Sequence, residues 1–173
     1  MRYGTVKKSD IANGLGVRVS LFVSGCRHHC KGCFQPETWD FNYGEDYTDA
    51  VKEDILSEFE RPYYQGLTVL GGEPMEPENQ PYVLELIKEF KERFPDKDVW
   101  IYSGYLFEDD ILAGKLGDKS ITDELISYVD VLVDGEFVQE EKDITLKFRG
   151  SRNQRLIDVK KSLKEGKTVL LEL

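Results

Sequence analysis

Cysteine is nearly absent from this 173-residue sequence: there are three, and all lie between residues 26 and 33. A disulfide scaffold needs an even number of cysteines spread along the chain, so the sequence does not predict one. Long apolar runs are absent as well, because no stretch approaches the ~18 residues of a transmembrane helix. The first ten residues, MRYGTVKKSD, lack the apolar core of a secretory signal. We therefore expect a cytoplasmic protein that does not associate with a membrane.

Positive charge is also in short supply. The sequence has 23 Lys and Arg against 33 Asp and Glu, which gives a net charge of −10. Binding to nucleic acids depends on basic side chains that neutralise phosphates, so we expect no nucleic-acid partner. Apolar residues make up 40% of the chain, which is enough for a core in a domain of this size.

Short apolar runs alternate with amphipathic helical patterns up to residue 135. They predict strands at 17–23, 67–70, 99–102 and 129–133, and helices over 48–60, 81–94 and 120–128. Strands that alternate with helices favour parallel βα units and an α/β fold. We find no linker or repeat, so we expect one domain over residues 1–173.

The sequence after residue 136 is less regular. The segment 143–148 is a candidate strand, and 168–171 is predicted to be one. Between them, 147–167 carries eight basic and two acidic residues, a local charge of 8 − 2 = +6.

An unusual turn follows each of the four predicted strands. These turns contain Cys26-x3-Cys30-x2-Cys33, Gly71-Gly72-Glu73-Pro74, Ser103-Gly104-Tyr105 and Asp134-Gly135-Glu136-Phe137. The carboxyl ends of parallel strands meet at one edge of a sheet, where such folds place their active sites. The four turns together therefore predict a functional site.

The spacing of the three cysteines favours an iron–sulfur cluster, because clusters are held by closely spaced thiolates. Three thiolates leave one iron of a four-iron cube without a protein ligand. Two alternatives remain open: buried structural cysteines, or a zinc ion with His28 or His29 as fourth ligand. Zinc sites usually draw ligand pairs from two separated segments, which makes zinc the weaker interpretation.

The stretch from Cys26 to Phe34, CRHHCKGCF, resembles the signature of the radical S-adenosylmethionine enzymes. The resemblance implies a partial, open βα barrel of parallel strands, which agrees with a chain shorter than the ~200 residues of a complete barrel. It implies that Cys26, Cys30 and Cys33 hold a [4Fe-4S] cluster whose open iron is chelated by S-adenosylmethionine. An electron from the cluster would cleave this cofactor to methionine and a 5′-deoxyadenosyl radical, which abstracts hydrogen from a substrate.

The same resemblance suggests the residues that bind S-adenosylmethionine. Phe34 would lie beside the adenine, and the Gly71-Gly72-Glu73 turn would bind the amino group. Tyr105 either borders the adenine or packs, and Asp134 either meets the ribose or partner or caps its turn. The full predicted set is Gly32, Cys33, Phe34, Gly71, Gly72, Glu73, Ser103, Tyr105 and Asp134.

Further segments resemble one subgroup, the activating enzymes of the anaerobic (class III) ribonucleoside-triphosphate reductase. They are 10–18 (DIANGLGVR), 21–26, 37–39, 100–105, 131–137 and, most distinctively, 148–155 (FRGSRNQR). The resemblance implies an activase that generates a glycyl radical on the large subunit of the reductase, with reduced flavodoxin or a similar protein as electron donor. Arg149, Arg152 and Arg155 are candidates for docking on the reductase, or else belong to an ordinary solvated face.

Hydrogen abstraction by a carbon radical needs no general acid–base pair, so no catalytic residue is predicted beyond those at the cluster and cofactor. Two other interpretations remain. In the first, the chain is another small radical enzyme, either a different glycyl-radical activase or a deazaguanine-type synthase. In the second, it is a non-catalytic iron–sulfur redox protein, in which S-adenosylmethionine would not be cleaved.

Overall fold

The structure is a computed structural model that describes residues 1–173. One sheet contains seven strands: β1 (Arg2–Asp10), β2 (Val17–Val23), β3 (Glu45–Asp46), β4 (Tyr64–Gly71), β5 (Asp98–Ser103), β6 (Val131–Asp134) and β7 (Arg155–Asp158). The helices are α1 (Asp49–Glu58), α2 (Gln80–Arg93), α3 (Lys119–Ser127) and α4 (Val159–Glu165). A π-helical segment spans Phe107–Leu112, and short 3-10 turns span Pro36–Trp39 and Gln139–Glu141.

The sheet is parallel in its middle and antiparallel at its sides. Its strand order is β3-β1-β2-β4-β5-β6-β7, and it does not close on itself. Neighbours among β2, β4, β5 and β6 run parallel, whereas β1 and β7 run antiparallel to them. The register places Val23 opposite Gly71 and Ser103 opposite Asp134. The segments that follow the four parallel strands therefore meet at one edge, here called the carboxyl edge.

The two faces of the sheet differ because successive side chains of a strand point to opposite sides. On one face, Leu21, Val69 and Ile101 are fully buried in a core that includes apolar residues of all four helices. The other face carries a smaller cluster around Trp100 and Val133, and no member of that cluster belongs to a helix. The helices therefore cover one face, and loops cover the other.

Three of the four helices begin at a side chain that accepts a hydrogen bond from one of their first N–H groups. Thr48 accepts a hydrogen bond from Val51 at the start of α1, and Asp158 accepts one from Lys161 at the start of α4. Helix α4 ends at Gly166, whose φ of 69° is readily adopted by glycine. No helix combines the length and the apolar character that crossing a membrane requires.

The structure confirms the α/β class. The four predicted strands correspond to β2, β4, β5 and β6, and the three predicted helices to α1, α2 and α3. Strands β1 and β7 and helix α4 were not predicted, because the charged edges of the sheet carry a weaker apolar pattern.

The candidate strand at 143–148 is wrong. Asp143 turns the chain instead, with its carboxylate accepting hydrogen bonds from the N–H and hydroxyl of Thr145 at 2.9 and 2.6 Å. Phe148 has a φ of 63°, which is incompatible with a strand. The strand predicted at 168–171 is reduced to one bridge between Leu170 and Ile157.

Candidate functional site

A cavity of about 650 Å³ lies at the carboxyl edge of the sheet. All four predicted turns contribute to its wall, which confirms that they lie together. Eight of the predicted site residues line it: Cys26, Cys30, Cys33, Phe34, Gly71, Gly72, Glu73 and Ser103. Gly32, Tyr105 and Asp134 lie outside the wall. Arg149 lines the cavity, whereas Arg152 and Arg155 do not.

The three cysteines are free and belong to one loop, residues 26–33, here called the cysteine loop. Cys26 is buried, and Cys30 and Cys33 are partly exposed. The N–H of Cys33 donates to the carbonyl oxygen of Cys30 at 3.1 Å, and Gln35 donates its N–H to the Cys33 Sγ at 3.4 Å. Burial raises the pKa of Cys26 to about 12, although the N–H groups of His28 and His29 favour its thiolate. Coordination to a cationic metal centre would remove the thiol proton.

This arrangement fits a cluster better than a single metal ion. Both nitrogens of His28 face glutamates, and the ring of His29 stacks on Trp39 with centroids 4.5 Å apart. A cluster spreads its thiolate ligands over several irons, which suits three free cysteines around a cavity. Tyr102 and Trp39 also line the cavity. Their hydroxyl and indole N–H groups are buried and have no hydrogen-bond partner within the protein.

The two glycines after β4 allow the turn to pack closely against the cysteine loop. Gly71 has a φ of +116°, and a Cβ there would lie 2.5 Å from the carbonyl oxygen of Val23. A Cβ on Gly72 would lie 2.7 Å from the carbonyl oxygens of both Gly25 and Thr38. The main chain itself therefore requires glycine at both positions.

Glu73 is fully buried, and its carboxylate accepts several hydrogen bonds from the protein. Oε2 accepts from the Met75 N–H at 2.8 Å and the Ser103 hydroxyl at 2.9 Å. Oε1 accepts from the Gly104 N–H at 2.7 Å and lies 2.8 Å from His28 Nε2. The carboxylate thereby joins the ends of β4 and β5 to the cysteine loop.

His28 is a site residue whose role the sequence did not reveal. Its Nδ1 lies 2.8 Å from Glu136 Oε1, so the ring bridges Glu136 and Glu73. Although burial lowers the pKa of His28, the hydrogen bonds and charges of the two glutamates outweigh it and raise the pKa to about 9. A Cβ on Gly104 would come within 2.7 Å of the ring, and the Tyr105 ring lies 4.3 Å away between centroids. Three strand-end turns therefore converge on this histidine.

Tyr105 and Asp134 support the site from behind its wall. The Tyr105 hydroxyl donates to Glu76 Oε1 at 2.6 Å. Asp134 is fully buried and accepts from the Phe107 N–H at 2.9 Å and from Arg155 Nε at 3.0 Å. In this structure the polar groups of both side chains are engaged within the protein.

The three predicted docking arginines do not share one exposed surface. Arg155 pairs with Asp134 and with Glu108, whose carboxylate lies 2.7 Å away. Arg149 donates to the carbonyl oxygen of Arg152 at 3.2 Å, and the Arg152 side chain is exposed. Arg155 is therefore tied to the end of β6.

The outer wall of the cavity is apolar and open to solvent. Phe34 is 64% exposed and packs against Phe137 with ring centroids 5.1 Å apart. Lys142 lies over the Phe34 ring at 5.3 Å, and nearby Ile144 is 90% exposed. A macromolecule approaching the cavity would meet these side chains.

Residues 12–157 match the family model described as a 4Fe-4S single cluster domain. The chain is also similar to curated anaerobic ribonucleoside-triphosphate reductase-activating proteins. The protein of Vibrio cholerae serotype O1 is 41% identical over 156 residues, which cover 89% of this chain and 96% of the relative. The protein of Enterobacteria phage T4 is 40% identical over 158 residues, covering 90% and 93%. That of Escherichia coli K12 is 38% identical over 156 residues, covering 89% and 96%.

These matches extend over most of the chain and include the cysteine loop and the turns after β4, β5 and β6. They agree with the site geometry, in which three free cysteines lie at the carboxyl edge of a parallel sheet. The chain belongs to the family of anaerobic ribonucleoside-triphosphate reductase-activating proteins and carries a 4Fe-4S single cluster domain.

Proposed function

We propose that this protein activates the anaerobic ribonucleoside-triphosphate reductase by generating a glycyl radical on its large subunit. The observation that carries the proposal is the set of three free cysteines on one loop, facing a cavity at the ends of four parallel strands. When bound, the [4Fe-4S] cluster and S-adenosylmethionine together supply the reductive cleavage that yields a 5′-deoxyadenosyl radical. The protein's task is to hold these groups, exclude water and admit the glycine.

Cys26, Cys30 and Cys33 hold the cluster in this proposal. Cys33 and Phe34 would line one side of the space for S-adenosylmethionine, and Gly32 lies next to them in the chain, outside the wall. Gly71, Gly72, Glu73 and Ser103 form the opposite side. Tyr105 and Asp134 act from outside the wall, Tyr105 through Glu76 and Asp134 through the Phe107 N–H and Arg155.

We further propose that the chain is one domain with the partial-barrel fold of radical S-adenosylmethionine enzymes. Helices on one face of an open parallel sheet support this proposal, because a doubly wound sheet would carry helices on both faces. The face of the sheet without helices lines the cavity through Phe22, Leu70 and Tyr102. An open side provides an entrance for a loop of the reductase.

The large subunit docks, in this proposal, around the exposed outer wall and the basic segment 147–167. Arg152 is the most exposed of the three candidate arginines, Arg149 lies beside the cavity, and Arg155 contributes by holding β7 against β6. Reduced flavodoxin or a similar protein supplies the electron. An iron with an open position is sensitive to oxygen, which supports an anaerobic, cytoplasmic role.

The test is anaerobic. The cluster is reconstituted and reduced with S-adenosylmethionine and the large reductase subunit present, and the electron paramagnetic resonance spectrum is recorded. We expect a glycyl-radical doublet on the reductase together with released 5′-deoxyadenosine. A variant with Cys33→Ala serves as control and should give neither.

Two other results would contradict the proposal in different ways. Deoxyadenosine without the doublet would indicate a different substrate, such as that of a deazaguanine-type synthase or another glycyl-radical activase. Neither product from an intact reduced cluster would indicate a redox protein.

A further inference from the structure

Glu76 is a fully buried carboxylate that neither the family resemblance nor the cavity accounts for. It lies in the segment between β4 and α2, and it is not part of the cavity wall. A charged side chain without exposure is costly unless it is paired or hydrogen-bonded. Its partners therefore indicate what this carboxylate does.

Both carboxylate oxygens of Glu76 accept hydrogen bonds, one from the cysteine loop and one from the turn after β5. Oε2 accepts the main-chain N–H of Arg27 at 2.7 Å. Oε1 accepts the Tyr105 hydroxyl at 2.6 Å and lies 3.2 Å from the Arg27 guanidinium. The carbonyl oxygen of Glu76 accepts the N–H of Asn79 at 2.8 Å, which anchors this residue to the start of α2.

The first of these bonds reaches the cysteine loop directly, because Arg27 follows Cys26 in the chain. On the other side, the N–H of Cys26 donates to the carbonyl oxygen of Trp39 at 3.2 Å. The main chain around Cys26 is thus held from both sides. Neither contact uses the thiol, which stays available to a metal centre.

We propose that Glu76 is a positioning residue for the cysteine loop, holding Cys26 at the cavity through the main-chain N–H of Arg27. The proposal rests on the proposed cluster site and adds a residue that touches neither cluster nor S-adenosylmethionine. Its essential contact is with the main chain, so the Arg27 side chain is not the part that matters. This distinction makes the proposal testable.

The same arginine offers a matched control. Glu78 is exposed and also pairs with the Arg27 guanidinium, at 2.5 Å, but makes no contact with the main-chain N–H of Arg27. Glu78→Gln and Arg27→Ala both weaken the side-chain pair and keep the bond from the Arg27 N–H to Glu76. Glu76→Gln differs from both, because an amide has one accepting oxygen and one donating nitrogen. Its oxygen can still accept the Arg27 N–H while its nitrogen donates to the Tyr105 hydroxyl, but the neutral amide loses the charge that strengthens the hydrogen bond to the loop.

The first measurement uses the apoprotein, so that it does not depend on the cluster. Under anaerobic conditions, alkylation of each cysteine is followed by mass spectrometry of its peptide. In Glu76→Gln we expect Cys26 to react roughly 10-fold faster than in the wild type, as expected for loss of a hydrogen bond to a charged group. In Glu78→Gln we expect a change of no more than about twofold, since an exposed pair contributes little. In Arg27→Ala we expect a smaller increase than in Glu76→Gln, because the guanidinium that lies 3.2 Å from the buried Glu76 is lost but the main-chain N–H remains.

The ratio of the Cys26 rate to the Cys33 rate in the same molecules separates loop displacement from unfolding. Local displacement raises this ratio, whereas unfolding exposes all three cysteines together. If Glu76→Gln does not fold, Glu76→Asp keeps the charge but withdraws the carboxylate by one methylene, and the same increase is expected.

The second measurement uses the reconstituted protein and follows iron release to excess chelator. We expect release at least about 10-fold faster from Glu76→Gln than from Glu78→Gln, the usual effect of losing a partner that orients metal ligands. Equal behaviour of Glu76→Gln and Glu78→Gln in both measurements would overturn the proposal. Arg27→Ala behaving like Glu76→Gln would also overturn it, by assigning the role to the side-chain pair. A wild type that assembles no cluster would contradict the proposed function, while the alkylation rates would still decide the role of Glu76.

Discussion

Buried charges lie at both ends of the parallel strands, and they serve different purposes. At the amino end, the guanidinium of Arg18 is fully buried and donates to Asp98 at 2.5 Å, to the Thr68 hydroxyl at 2.7 Å and to the carbonyl oxygen of Leu15 at 2.8 Å. Each nitrogen of this group has a partner in the protein. The cluster joins β2, β4 and β5 and leaves nothing for a ligand.

The carboxyl end is built differently. Glu73 and Glu76 are as well bonded as Arg18, but their partners belong to the loops that surround the cavity. Three free thiols remain on the cysteine loop, which both carboxylates contact. The comparison teaches that buried charge stabilises the sheet at one end and holds binding loops at the other, as parallel α/β folds generally divide these roles.

The largest effect expected at the carboxyl end is the loss of any one cysteine of the loop. Changing Cys26, Cys30 or Cys33 to Ala should reduce cluster-dependent formation of 5′-deoxyadenosine to background, because each thiolate would hold one iron in the proposed site. Urea unfolding of the apoprotein should change little for the Cys30 and Cys33 variants, whose side chains are partly exposed. A single variant that retained turnover would remove that cysteine from the ligand set.

At the amino end, the corresponding change is Arg18→Met. It leaves the Asp98 carboxylate without its buried partner, and we expect the free energy of unfolding to fall by roughly 3 kcal/mol. Arg2→Met is the control, because Arg2 pairs with the exposed Asp46, and a loss below about 1 kcal/mol is expected there. Urea unfolding of the apoproteins measures both. Equal losses would mean that burial does not distinguish the two pairs.

A smaller effect is expected for the proposed docking of the large reductase subunit at the carboxyl edge. Reversing two exposed charges, with Lys147→Glu and Arg152→Glu together, should weaken association with the large reductase subunit by about 10-fold. Cleavage of S-adenosylmethionine without the partner should be unchanged, because neither residue lines the cavity. Lys115→Glu with Lys119→Glu makes the matched control, because both lysines are exposed and lie outside the basic segment 147–167. Calorimetric titration would refute the docking surface if both pairs weakened binding equally.

The smallest expected effect concerns Glu108 and depends on pH. A hydrogen bond from Arg155 lowers the pKa of Glu108 from 4.5 to about 2. The ionised carboxylate therefore stabilises the folded protein above about pH 4.5, and this contribution is lost as the pH falls towards 2. The stability difference between wild type and Glu108→Gln should be constant near neutral pH and shrink between pH 4.5 and 2. A difference that stayed constant throughout would show that the ion pair contributes nothing.

The central strands and helices could be predicted from sequence because each carries a complete apolar pattern. Val83, Ile87 and Phe90 recur at helical spacing and are all buried in α2. The outer elements could not be predicted in this way. Strand β1 contains Lys7 and Lys8 and has several exposed side chains, so its sequence does not alternate clearly.

The sequence predicted which turns form the site. It was less successful in predicting what each side chain does there. Asp134 was a candidate for contact with the ribose, and the structure shows it bound to Arg155 and the Phe107 N–H. Glu76 and His28 were not assigned a role, although both lie within or beside the recognised motifs. Successive side chains of β5 point to opposite faces of the sheet, so Tyr102 lies on the face away from the buried Ile101. This alternation could have identified Tyr102 as a residue that faces the cavity.

The sequence by itself determined where the parallel strands end and which turns meet at one edge, because apolar periodicity and glycine positions are local properties. It also determined that three thiols lie close together, since eight residues of chain cannot separate them far. Only the tertiary structure decided which donors satisfy the buried carboxylates. His28 reaches Glu73 across 45 residues and Glu136 across 108, and such pairs depend on how loops converge after the sheet has formed.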